Sequence, residues 1–203
     1  MVYQTTKLMD VREEVIAAGL WVLREEGLVA FTQPSVCRQA GVRQSHLTYY
    51  FPTRTDLLVA VAERAVQDRL AVIAASVDES IDDPRAAAAA VARAIASTKN
   101  NRAFLALAEA ADQEPRVQAA FRELTDGIAG RASRLLARLG IEPTDAAVRL
   151  LHTLTVGAAV LGVARGEEVE AHAAAMLLLA FESLASRQPR RRPAPKGRGK
   201  AHE

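Results

Sequence analysis

Nowhere along the 203 residues do polar and apolar side chains alternate with a period of two over a sustained stretch. A strand half exposed to water requires that alternation, whereas apolar residues three and four apart require a helix, so the chain is expected to be all-α. Val11, Val15, Ala18, Leu20, Val22 and Leu23 mark a helix from about residue 8 that stops at Gly27, a C-cap. Thr32 reads as the N-cap of a short helix to Ala40, with Pro34 in the first turn, where its missing N–H costs little. Gly41 breaks that helix, and a second short one runs from about Arg43 to Phe51, where Pro52 prevents simple continuation. Thr53 and Asp56 then resemble a capping box opening a long helix to about Ile81, ended by DDP at 82 to 84. Ala-rich helical segments follow at about 85–98, 100–112, 115–139, 144–164 and 168–187.

Composition narrows the class. Half the residues are hydrophobic and a quarter charged, the profile of a globular protein. The charge-free runs 150–164 and 171–181 are shorter than the roughly 18 to 20 apolar residues a membrane span needs, so no membrane association is expected. The N-terminus has no secretory apolar region, and Cys37 is alone, which fits a reducing cytoplasm. From Arg187 onward there are seven bases and one acid, leaving 19 bases and 23 acids in the rest, a net of −4. The basic balance therefore belongs to a tail. Residues 188–203, QPRRRPAPKGRGKAHE, are expected to be disordered, as a plain solvated tail or an aid to DNA affinity. Between Glu26 and Asp56 there is no acid, while Arg38, Arg43 and Arg54 lie inside, so a polyanion meets no fixed negative side chain there.

Three of the nine aromatics stand together in that window, at Tyr49, Tyr50 and Phe51. Successive helical side chains point about 100° apart, so the three cannot share one core. On a wheel centred on Leu47, Phe51 falls at about +40° and Tyr50 at about −60°, both inward, while Ser45 and Tyr49 lie opposite and Thr48 flanks them at about 100°. Two short helices hinged at Gly41 have the form of a helix-turn-helix, whose second helix enters the DNA major groove. The outer face, short, polar and uncharged, suits base edges and thymine methyls.

At these residues the chain resembles the TetR family of bacterial transcriptional regulators. Thr32, Ala40-Gly41-Val42, Leu47-Thr48-Tyr49-Tyr50-Phe51, Arg54 and Asp56-Leu57-Leu58 carry the resemblance, which covers about residues 10 to 60. Two residues depart from it: Thr48, where the family often has Tyr, and Pro52, where it often has Lys. The resemblance implies that Gln44, Ser45, Thr48 and Tyr49 meet bases or nearby backbone and that Thr32, Gln33, Tyr50 and Arg54 meet phosphates, with Arg43 able to do either. It also implies a homodimer on double-stranded DNA, with a palindromic operator, and a variable C-terminal part that binds a small effector, repression being the family's usual mode. The expected division is 1–55 for DNA binding, 56–187 for effector binding and dimerisation, and 188–203 for the tail.

The C-terminal residues themselves are less specific. Segments 144–164 and 168–187 are the most apolar pair, and Leu154, Leu161, Leu177, Leu178 and Phe181 are the candidate dimer-interface residues, an ordinary intrachain core being the alternative. Phe104, Phe121, Leu124, Thr125, His152 and Thr155 are candidate effector-lining residues, with plain core packing as the alternative, and the scarcity of charge points to an apolar or weakly polar effector. There is no HExxH, Gly-rich phosphate loop or G-x-S-x-G, and the four histidines form no spaced cluster. No catalysis, metal or cofactor is expected. The alternative function, a helical protein-interaction module without operator specificity, is separated from a regulator by sequence-specific DNA binding.

Overall fold

The computed structural model describes residues 2–76, 82–166 and 169–187. Among the described residues there are nine α-helices and no strand: α1 (Val2–Glu25), α2 (Gln33–Ala40), α3 (Gln44–Tyr50), α4 (Arg54–Ser76), α5 (Pro84–Ile95), α6 (Thr98–Gln113), α7 (Pro115–Arg138), α8 (Asp145–Arg165) and α9 (Glu170–Ser186). α1 starts earlier than the apolar spacing suggested, since neither proline nor glycine occurs before Gly19 to stop it. The basic tail at 188–203 lies outside the described residues.

Local chemistry sets the ends of the elements that matter for the site. The Thr32 hydroxyl oxygen accepts from the Ser35 N–H at 3.2 Å, capping α2. Gly41 closes α2 at φ 68°, a left-handed conformation in which a Cβ would be strained. At the head of α4 the Asp56 N–H donates to the Thr53 hydroxyl oxygen at 3.0 Å, while the Thr53 N–H donates back to the Asp56 carboxylate at 3.2 Å, a closed capping box.

Apolar packing forms two clusters. The first joins Leu23, Phe31, Leu47 and Phe51 to Leu57 and Val61 of α4, and continues through Leu107 and Val117 into α6 and α7. The second gathers Ile95 of α5, Leu135 of α7, Leu151 of α8, and Leu177 and Phe181 of α9. The first cluster thus has members on both sides of position 55/56, and α4 packs on both the head helices and the body. At Gly127 a Cβ would come within 2.9 Å of the Leu70 side chain, which is how closely α7 lies on α4.

α8 carries the charge-free run 150–164, which stays shorter than a membrane span because Arg149 and Arg165 flank it. Counted with those arginines, its 21 residues from Asp145 to Arg165 are long and apolar enough, by length and composition, to cross a membrane. Of its most apolar window 22% is buried within the chain, and several further residues of α8 are half-buried.

Candidate functional site

α3 is seven residues long and Arg43 gives it no side-chain cap, so its position depends on tertiary anchors. Leu47 is fully buried and Phe51 nearly so, while Tyr50 is half-buried against the same cluster. Tyr49 is 76% exposed, and its ring meets that of Tyr50 edge-on at 5.0 Å. Arg43, Gln44, Ser45 and His46 are also exposed. Thr48 is half-buried, its hydroxyl donating back to the Gln44 carbonyl at 3.0 Å.

Two of the residues expected at phosphates are engaged inside the chain. The Gln33 amide nitrogen donates to the Phe51 carbonyl at 2.9 Å, tying α2 to the end of α3. Arg54 donates from Nε to the Phe31 carbonyl at 2.7 Å and from Nη2 to the Leu28 carbonyl at 3.3 Å, with its guanidinium 5.7 Å from the Phe31 ring centre. Both hold the loop before α2 and the turn after α3. Each retains N–H donors beyond those bonds, three on Arg54 and one on Gln33 by the ordinary count of about five and two. Thr32 likewise keeps its hydroxyl proton free to donate, because capping uses only its lone pair.

The turn after α3 is coupled to the body by charge. Asp56, at the head of α4, receives Arg116 Nη1 at 2.8 Å from the first turn of α7. The Arg116 hydrogen bond, then that of Thr53, hold the Asp56 carboxyl below the usual carboxylate range. A depressed folded pKa contributes stability that is present above the unfolded value and lost as pH falls through the folded one, so this coupling is expected to weaken only under acid conditions. Arg116→Ala should return the Asp56 pKa toward its ordinary value, read from a carboxyl carbon NMR titration. An unmoved titration would mean that the pair does not form in solution.

Farther along α4 the chain forms two partly open cavities. The smaller, about 80 Å³, is walled by α4 to α9 and includes His152, Thr155, Phe104, Leu177 and Phe181. The wider, about 350 Å³, lies between α1, α4, α6 and α7 and includes Phe104, Phe121 and Leu124. Five of the six sequence-chosen lining residues thus reach a cavity, with Phe104 on both. Thr125 does not: its hydroxyl donates to the Arg122 carbonyl at 2.8 Å and it borders a shallow surface groove, because it falls on the outward side of α7. Sequence reasoning missed Arg69 and Arg131, which line the smaller cavity, Arg69 lining the wider one as well. Neither lay in a segment whose pattern suggested an inward cation.

The interface candidates divide. Leu177 is 2% exposed and Phe181 fully buried, both inside the chain's own core, so they are not surface residues. Leu154 and Leu178 are half-buried against that core. Leu161 is 48% exposed, and Leu150 and Val160 of α8 and Met176 and Leu179 of α9 are exposed as well. Periodicity alone could not tell which side of α9 faces its own chain, since Leu177, Leu178 and Leu179 point three ways. Among the described residues, no group of three or more His, Cys, Asp or Glu is arranged to hold a metal.

No family model matches the chain. Over 60 residues, 30% of this chain and 30% of the relative, it is 38% identical to the HTH-type transcriptional regulator CymR of Pseudomonas putida. The match therefore spans less than a third of that relative's length. The structure is similar to that of a transcriptional regulator from Rhodococcus sp. Rha1, with TM-score 0.76 and 20% identity over 86% of this chain and 95% of that one. It is similar also to a TetR-family member from Streptomyces coelicolor A3, with TM-score 0.67 and 23% identity over 84% and 97%. A third is the multidrug binding protein EbrR complexed with imidazole, with TM-score 0.65 and 23% identity over 83% and 93%. The fold is an all-helical one with a helix-turn-helix near its N-terminus, and it is the fold of TetR-family transcriptional regulators.

Proposed function

We propose that the protein is a sequence-specific DNA-binding transcriptional regulator of the TetR type, a homodimer that represses from a palindromic operator and releases it when a small effector enters the cavities beside α4. The outer face of α3 carries this reading. Gln44, Ser45, Thr48 and Tyr49 present amide, hydroxyl, methyl and phenol groups on a helix anchored from behind by Leu47 and Phe51, in a window without acids. In this reading those four meet bases or nearby backbone and Thr32 and Tyr50 meet phosphates, joined by the remaining donors of Gln33 and Arg54, with Arg43 able to do either. Residues 1–55 act as the DNA-binding unit and 56–187 as the effector-binding and dimerisation unit. The exposed apolar surface of α8 and α9 supports a two-fold pairing, and a two-fold dimer calls for a palindrome. The likeness to EbrR, solved with small molecules bound, supports an effector site within this fold.

α4 links the two activities. Arg54 and Asp56 at its head fix the turn behind α3, and Arg69, about 22 Å along the helix axis, lines both cavities. A ligand that tilts α4 would therefore move the recognition helix.

The test is a gel shift with intergenic DNA adjoining the protein's own gene against random competitor. Tyr49→Ala and Gln44→Ala should each weaken specific binding by about 1–3 kcal/mol with little change on random DNA, since base contacts set specificity. Equal affinity for every sequence at physiological salt would remove the regulator role and leave a protein-interaction module.

A further inference from the structure

The middle of α4 holds a cation that the fold does not neutralise. Arg69 lines both cavities, and its Nη1 is closed off from solvent with no hydrogen-bond partner. Among the described residues no carboxylate pairs with it. Asp68, on the wall of the wider cavity, is already held by Arg64 at 2.9 Å and lies 3.6 Å from Arg24. Burial is the one influence acting on the Arg69 guanidinium, and it disfavours the charge. A guanidinium does not shed its proton in proteins, so the charge stays, and the fold supplies Nη1 with no partner.

The smaller cavity adds a second cation and no acid. Arg131 lines it, with Nη1 on the Gly127 carbonyl at 3.1 Å and its other donors still available. The rest of the wall is aliphatic or aromatic, including Ile73, Ile95, Leu135 and Leu177, apart from His152 and Thr155. The Thr155 hydroxyl is turned to the His152 carbonyl at 2.9 Å.

Building on the effector reading above, we propose that this cavity binds an amphipathic organic carboxylate, its head paired with Arg69 and Arg131 and its hydrocarbon body among the aliphatic residues of α4, α5, α7 and α9. A planar carboxylate matches a guanidinium two-pronged, and a single negative charge suits walls that offer little else polar. A phosphate dianion would leave oxygens unsatisfied in such walls. This departs from the expectation of an apolar or weakly polar effector: the charges come from Arg69 of α4 and Arg131 of α7, neither of which the sequence pattern marked as inward.

The experiment is isothermal titration of the full chain with octanoate, octanol and octylamine, on the parent protein and on Arg69→Met and Arg69→Lys. The parent should bind octanoate at least about tenfold more tightly than octanol and bind octylamine least, the value of one charged hydrogen bond. Arg69→Met should lose that preference while keeping octanol affinity, and Arg69→Lys should retain part of it. Without any additive, Arg69→Met should melt at a higher temperature than the parent, because a buried unpaired charge has been replaced by a thioether. Octanol or octylamine binding as well as octanoate, selectivity surviving in Arg69→Met, or no binding of any of the three would overturn the proposal. Sequence-specific DNA binding by the additive-free parent is measured alongside. Its loss together with intact octanoate selectivity would remove the regulator reading and leave the carboxylate site standing.

Discussion

Leu47→Ala is expected to lower the stability of the protein by about 2–5 kcal/mol and to abolish DNA binding of every kind. Leu47 is the fully buried residue of a seven-residue helix that has no side-chain cap at its start. So short a helix does not persist by its own hydrogen bonds. Its register is held by the packing of Leu47 and Phe51 on the cluster that includes Leu23, Phe31 and Leu57, and by the Gln33 bond to the Phe51 carbonyl. Truncating Leu47 leaves a cavity under the helix, so the outer face loses its fixed position along with its support. Tyr49→Ala should behave differently, leaving the unfolding midpoint in place and removing specificity alone, because Tyr49 is mostly in water. Urea unfolding and a gel shift on both variants separate the two. A Leu47→Ala protein of parental stability would mean that α3 is not held by this packing.

For the proposed dimer, Leu179→Arg is expected to give a monomer of unchanged helicity with weak operator binding. Leu179 is 60% exposed on α9, so an arginine there stays hydrated in the isolated chain and its fold is undisturbed. In a two-fold interface the same substitution buries an unpaired charge on each protomer, a cost of about 3–5 kcal/mol for a lone buried ion, repeated by symmetry. Leu161→Arg on α8 should act alike, at 48% exposure. Leu178 is a poorer probe, since it packs on the chain's own core and a charge there would unsettle the fold itself. Sedimentation velocity together with circular dichroism reads both quantities. A Leu179→Arg protein that sediments as a dimer would put the interface on another surface.

What the sequence determined by itself was whatever depends on neighbours a few residues apart. The Thr32 cap, the left-handed Gly41, the Thr53–Asp56 box and the inward and outward sides of α3 are all decided within one or two helical turns, where pattern and propensity act directly. The fold class followed for the same reason. Only tertiary structure decided the destinations that lie far off in the chain. Gln33 meets Phe51 across 18 residues, and Arg54 reaches Leu28 and Phe31 across 26 and 23. Leu177 and Phe181 turned out to be core and cavity wall, while Leu161 and Leu179 are among the exposed apolar residues of α8 and α9, because an apolar helix carries no mark of which neighbour it will meet. Arg69 is the sharpest case. Nothing in the residues around it marks it as inward, and only the packing of α4 against the other helices places it on both cavity walls with Nη1 unpartnered.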